Sequence, residues 1–232
     1  AMAWVLLLLA AQDAKVRDLI RKGDDLWAQR EKVGMAAASV LSYQKAIVLD
    51  ESVTEGYWKI SRSHLWIGGH EKDGGKKQKV YREGIDFCKM AVAIDGECIE
   101  AHFWLGVMYG LFGEAKGVLQ SLSLIGPIKQ EIEWVLKKNE KHEYAGPHRV
   151  LGRFYHKVPG IHGGDNQKSI QHLRRAIELA PDLHDNYLFL AEVLIDEGQK
   201  DEAKKALRTC LEAADNAVWG PESRETKRQA KE

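Results

Sequence analysis

A short phrase recurs along this chain, and few architectures accommodate such recurrence. Leu105-Gly106-x-x-Tyr109, Leu151-Gly152-x-x-Tyr155 and Leu190-Ala191-x-x-Leu194 lie in stretches of helical spacing. Each follows, by three residues, a ring-bearing side chain: His102, His148 or Tyr187. Downstream halves read Ser169-x-x-x-Leu173-x-x-Ala176-x-x-x-x-Pro181 and Ala203-x-x-x-Leu207-x-x-Cys210. Helix ends repeat too: Ala46-Ile47-Val48-Leu49-Asp50, Ala91-Val92-Ala93-Ile94-Asp95 and Ala176-Ile177-Glu178-Leu179-Ala180. Units of about 34 residues written this way cannot bury their apolar stripes alone, so neighbouring units must stack.

The pattern resembles the tetratricopeptide repeat. It implies an all-α fold, a tetratricopeptide-like right-handed superhelix of four to five helix-turn-helix pairs, filling one domain over residues 13–216. The first pair is expected at 14–30 and 36–49, with Gly34 as breaker. The second is expected at 54–67 and 81–94, with a Gly- and Lys-rich loop over 70–79. The third opens at Cys98 and closes with 128–138, after an insertion over 114–126 and with Pro127 in a first helical turn. The fourth is 144–157 and 166–180 around a Val158–Asp165 turn, and the fifth is 182–197 and 201–213, stopped by Gly198. Ser61, Gly106, Gly152 and Ala191 are small where two helices cross. The remaining stretch, 217–232, reads as a polar tail that frays.

Lys plus Arg and Asp plus Glu both number 34, so net charge is zero. That balance argues against a nucleic-acid footprint and against electrostatic attachment to anionic lipid. Three cysteines, Cys88, Cys98 and Cys210, include no CxxC and give neither a zinc ribbon nor a disulfide framework. Cys210 falls at an inward position, and Cys88 with Cys98 could pair only in an oxidising compartment.

Residues 1–12 admit two readings. Ala3–Ala11 is a run of nine apolar residues, too short to span a bilayer. It matches the back of a signal peptide whose charged start is missing, with Leu9-Ala10-Ala11 as cleavage site; it equally suits an apolar first helix. Ala1 before Met2 reads as a residue left by tag cleavage. No cysteine follows the run, so a lipid anchor has no attachment point.

Between Gly126 and Pro181 the chain reads Gly126-Pro127-Ile128, Tyr144-Ala145-Gly146-Pro147-His148-Arg149-Val150-Leu151-Gly152-Arg153, Val158-Pro159-Gly160 and Gly163-Gly164-Asp165. This resembles the TatT family, the tetratricopeptide-like T component associated with some bacterial TRAP transporters. The resemblance implies an exported, periplasmic accessory that works with a periplasmic solute-binding subunit, without a membrane span and with homo-oligomers open. A cytoplasmic place goes with the other reading of the apolar start.

No local motif supports catalysis, a cofactor or a resident metal. His142, His148, His156 and His162 cluster, yet none shows the His-Glu-x-x-His spacing that puts two ligands on one helical face. Gly163-Gly164-Asp165-Asn166 could cradle an anion at a helix start, but it reads more simply as a turn capped by Asp165. Arg149 and Arg153, one turn apart, could clamp a carboxylate or form surface ion pairs. Trp27, Trp58, Trp66, Trp104 and Trp134 are core candidates, some of which could anchor a partner.

These observations point to a non-enzymatic scaffold binding a protein partner through its concave face, of the TatT type in its finer form. A carrier of an apolar small molecule in an aromatic-lined cavity is the alternative. First helices line the inside of such stacks, which nominates Tyr57, Phe103, His148, Arg149 and Tyr187 as contact residues. Leu105, Leu151 and Leu190 belong to the packed seam.

Overall fold

The computed structural model describes residues 2–232, and side chains except those at 2–8 and 118–119. The signal-like reading of residues 1–12 therefore rests on side chains that lie, up to Leu8, outside the described residues. Among the described residues the secondary structure is helical, with no strand. The chain divides into two compact units, one ending at Gly117 and the other beginning at Val118. Each unit has its own stack of helices.

The first unit holds α1 (Met2–Ala28), α2 (Met35–Leu49), α3 (Thr54–His70), α4 (Gly74–Ile94) and α5 (Ile99–Lys116). Val16, Ile20, Tyr43, Ala46 and Ile60 bury together and tie α1, α2 and α3. Tyr57, Ala91 and Ala101 do the same for α3, α4 and α5. The loop expected over 70–79 is shorter, because Gly74–Lys79 already belongs to α4. Asp73 accepts a hydrogen bond from the Lys76 amide at 2.8 Å, and that cap lets the helix start through two glycines.

The second unit opens with a 3₁₀ segment, Val118–Leu124, and continues with α6 (Ile125–Lys138), α7 (His142–Lys157) and α8 (Asn166–Leu179). It ends with α9 (His184–Asp196), α10 (Lys200–Glu212) and α11 (Gly220–Gln229). Ile170, Leu173, Leu190, Ala191, Val193, Leu194, Ala203 and Ala206 form the core between α8, α9 and α10. Gly198 follows α9 at φ 74°, a left-handed stop that costs glycine little. Gly152 is small for contact: a Cβ there would stand 2.5 Å from Leu173 Cγ. Ser169 Oγ donates to the Gly152 carbonyl at 2.8 Å, and Ser61 Oγ to the Gly84 carbonyl at 2.7 Å, so both small positions carry cross-helix bonds.

The expected fraying tail is instead α11. Trp219, Gly220, Ser223 and Thr226 are buried. Asn216 Oδ1 accepts from the amides of Val218 and Trp219, at 2.9 and 2.8 Å, and its Nδ2 donates to Asp182 at 2.7 Å. Thr226 bonds to Asp185. The three cysteines are free thiols, Cys88 and Cys210 buried and Cys98 half-buried.

Candidate partner-binding face

The seam positions stand as expected, with Leu105, Leu151 and Leu190 buried. The nominated contact residues do not form a surface. Tyr57, Phe103 and Tyr187 are only 7%, 1% and 9% exposed. The two tyrosine rings face the neighbouring turns, and the reason is a repeated bond. The Tyr57 hydroxyl donates to the Glu51 carbonyl at 3.1 Å, and the Tyr187 hydroxyl donates to the Pro181 carbonyl at 2.9 Å. His102 Nε2 meets the Gly96 carbonyl at 3.0 Å. In each case the ring reaches back six residues and pins the connection that precedes its own helix. A buried hydroxyl with its partner on the main chain is satisfied and unavailable to a ligand.

Arg149 is also spent on structure. Inside α7, Glu143, Tyr144 and Ala145 have φ of 46°, 56° and 58°, a left-handed turn made without glycine. Such residues persist only where surroundings over-determine them. The Arg149 guanidinium donates to the Tyr144 carbonyl at 3.0 Å and the Glu143 carbonyl at 3.3 Å, stapling that turn. His148, the fifth nominee, keeps 12% of its side chain exposed and faces His172 and Glu140. In this structure the five residues contribute packing and turn geometry.

A different constellation gathers in the first unit, on the first helices α1 and α3. Trp58, Arg62 and Trp66 fall one turn apart along α3 and are half-buried. The Arg62 and Arg30 guanidinium carbons lie 3.9 and 3.8 Å from the centroid of Trp27. Two such groups cannot share one face at that range, so the indole is held between them. Contacts of this kind contribute from about 0.5 kcal/mol when exposed to about 2 kcal/mol when desolvated. Lys59 and Arg62 also stand 5.5 and 5.4 Å from the Trp58 ring.

Asp24 organises the cations. Its Oδ2 accepts from Lys59 Nζ at 2.6 Å, and its Oδ1 accepts from the Tyr43 hydroxyl at 2.9 Å and from Arg62 at 3.3 Å. Burial pushes the Tyr43 phenol well above its ordinary value, with Asp24 adding to the shift and Arg62 opposing it. Glu55 joins Lys59 at 2.5 Å across one turn of α3. Lys59 is nearly buried while Asp24 and Glu55 keep 40% and 49% of their side chains in water, so the carboxylates are the outer, exchangeable layer. Such a face can hold anionic and aromatic groups at once. Sequence reasoning had the tryptophans among possible anchors but missed Lys59, Arg62 and Arg30. The available signal was Trp58-x-x-x-Arg62-x-x-x-Trp66, one stripe of a helix.

In the second unit the first helices α7 and α9 are joined by closed pairs. Arg153 and Lys157 meet Glu192 at 2.6 and 3.0 Å, and His156 meets Asp196 at 2.7 Å. Arg153 is therefore an ion-pair residue on Phe189, 4.5 Å from that ring's centroid. Among the described residues no three His, Cys, Asp or Glu side chains are arranged to hold a metal ion, and no helix is long and apolar enough to cross a membrane.

Comparison with known proteins identifies the family. The model for regulator of microtubule dynamics protein 1-3 matches residues 19–163, more than half of the chain, and a tetratricopeptide-repeat model matches 161–220. No curated protein matches the chain. Among solved structures, the thermophilic TPR protein TTC0263 of Thermus thermophilus has a TM-score of 0.68 at 19% identity, covering 93% of this chain and 98% of its own. PilF of Pseudomonas aeruginosa has a TM-score of 0.56 at 13% identity, covering 95% and 90%. MamA has a TM-score of 0.52 at 19% identity, covering 87% and 95%. At these identities the likeness shows a fold of the tetratricopeptide kind. With its stacked helical pairs and a family model that reaches into both units, the chain belongs to the regulator of microtubule dynamics protein 1-3 family.

Proposed function

We propose that this chain is a non-enzymatic scaffold that engages a protein partner, in the regulation of microtubule dynamics that its family's description names. The observation that carries the reading is the α1–α3 face, where Trp58, Arg62 and Trp66 form one stripe over Lys59. Lys59 and Arg62 are held there by the half-exposed carboxylates of Asp24 and Glu55, so an acidic segment bearing apolar side chains can compete for the same cations. Partner carboxylates would take the exposed place of Glu55, and partner apolar groups would lie on the indoles.

The TatT form of the reading, with a periplasmic solute-binding partner and export, rests on the Gly126–Pro181 motifs alone; the family match favours the microtubule reading. Carriage of an apolar small molecule draws no support from the face, which is charged.

Co-sedimentation with polymerised tubulin, with and without microtubule-associated proteins, tests the proposal. The wild type should pellet, and Arg62→Ala and Trp66→Ala should each weaken binding about tenfold, the effect of losing one anchor. A wild type that stays in the supernatant under all conditions sinks the partner reading. Variants that bind like the wild type sink the assignment to this face.

A further inference from the structure

The ring that opens each first helix is tied to a main-chain carbonyl in α3, α5 and α9. The equivalent ring in α7 is His148, and its surroundings differ. From the cap residue of the preceding helix to the ring there are seven residues in three cases: Asp50 to Tyr57, Asp95 to His102 and Ala180 to Tyr187. From Asn139 to His148 there are nine. The longer connection carries the left-handed turn of Glu143–Ala145, and His148 faces ionisable side chains instead of a carbonyl.

His148 Nδ1 lies 2.9 Å from His172 Nδ1, and the ring centroids are 5.2 Å apart. The difference is about one ring radius on each side, so the two nitrogens meet head-on. Chelation of an ion requires lone pairs that converge from an angle; head-on nitrogens share a proton. His148 Nε2 stands 3.2 Å from Glu140 Oε2, and Glu140 is held by Arg175 at 2.8 Å. A carboxylate only accepts, so His148 donates from Nε2 and its Nδ1 accepts from His172 Nδ1–H. His172 stacks on Tyr155, 5.6 Å between centroids and 14° from parallel.

Charged groups face the pair from three elements: Glu133 from α6, Glu140 from the connection, and Arg175 and Glu178 from α8. Lys129 of α6 and Lys168 of α8 stand over the Tyr155 ring on which His172 stacks. Burial lowers both imidazoles from their ordinary value, with Glu140 opposing it at His148; His172, also beside His148, falls to about 4. One added proton leaves a donor facing an acceptor. Two leave two donors, both cationic, facing each other, which neither Glu140 nor Glu133 can offset along that line.

We propose that His148 and His172 form a proton-counting latch on the α7–α8 hairpin. With at most one added proton the rings hold each other. With two they part, and the start of α7, with its left-handed turn, is released. The latch is independent of which partner the α1–α3 face takes.

Nitrogen NMR of histidine-labelled full-length chain, read together with amide exchange between pH 7.5 and 3, tests this. The pair should titrate in two steps more than about one unit apart, and the second step should cost α7 and α8 at least about tenfold in exchange protection relative to α1 and α2. His172→Phe keeps a ring on Tyr155 and should abolish that acid loss; His148→Gln, which cannot titrate, should do likewise and covers the case in which the first variant does not fold. Independent titration of both rings near their ordinary value, or the same acid loss in a folded variant, overturns the latch.

Discussion

Replacing Arg149 by alanine should destabilise the second unit by about 3–6 kcal/mol, although the repeat pattern alone places this residue on the partner-contacting face. The figure follows from two bonds. Its guanidinium reaches the carbonyls of Tyr144 and Glu143 at 3.0 and 3.3 Å. Hydrogen bonds to charged groups each contribute about 1.5–3 kcal/mol, and their loss leaves two carbonyls of a strained turn unpaired. Glu143, Tyr144 and Ala145 all have positive φ, at about 1–2 kcal/mol each for residues with a Cβ. Without the staple that strain has less to hold it. The complementary change, Ala145→Gly, should stabilise by about 1 kcal/mol, because glycine adopts φ 58° without penalty and the alanine methyl is small. Urea unfolding followed by helical circular dichroism measures both. Opposite signs are the signature. An Arg149→Ala loss under about 0.5 kcal/mol, or a destabilising Ala145→Gly, would refute the stapled-turn reasoning.

Leu151→Ala removes a side chain that is 1% exposed, and should cost about 2–5 kcal/mol in the same assay. Gly152→Ala forces a methyl to 2.5 Å from Leu173 Cγ, and about 1–3 kcal/mol of overpacking should appear as a lowered melting temperature. Acid should weaken the second unit through His172, whose folded value of about 4 lies below the ordinary 6.5. The unfolded chain takes up that proton first, so stability is full above pH 6.5, falls as pH drops toward 4, and is level below, by up to about 3 kcal/mol. Denaturant midpoints across this range check it, with His172→Phe flattening the slope.

The repeat phrase by itself determined the helical pairs and the inward direction of Leu105, Leu151 and Leu190. Spacing near 3.6 residues and small residues at crossings are local properties, and they survive into the fold unchanged. It also located the ring position occupied by His102, His148 and Tyr187, which Tyr57 shares in α3. It did not determine what those rings do, because the carbonyls of Glu51 and Pro181 that bury Tyr57 and Tyr187 become partners only once the connecting turns have formed. The left-handed turn at Glu143–Ala145 was invisible for a related reason: no glycine announces it, and Arg149 imposes it from within the folded helix. Gly74-Gly75 looked like a loop, and a cap from Asp73 overrode weak propensity. Residues 220–229 looked like a tail, and burial of Trp219 and Thr226 made them a helix. The candidate face was decided by tertiary structure most of all. Trp27 lies between Arg30, three residues on, and Arg62, which belongs to the next pair. Periodicity tells which face of a helix is apolar; only packing of α1 against α3 tells which cations share an indole and which carboxylate holds them there.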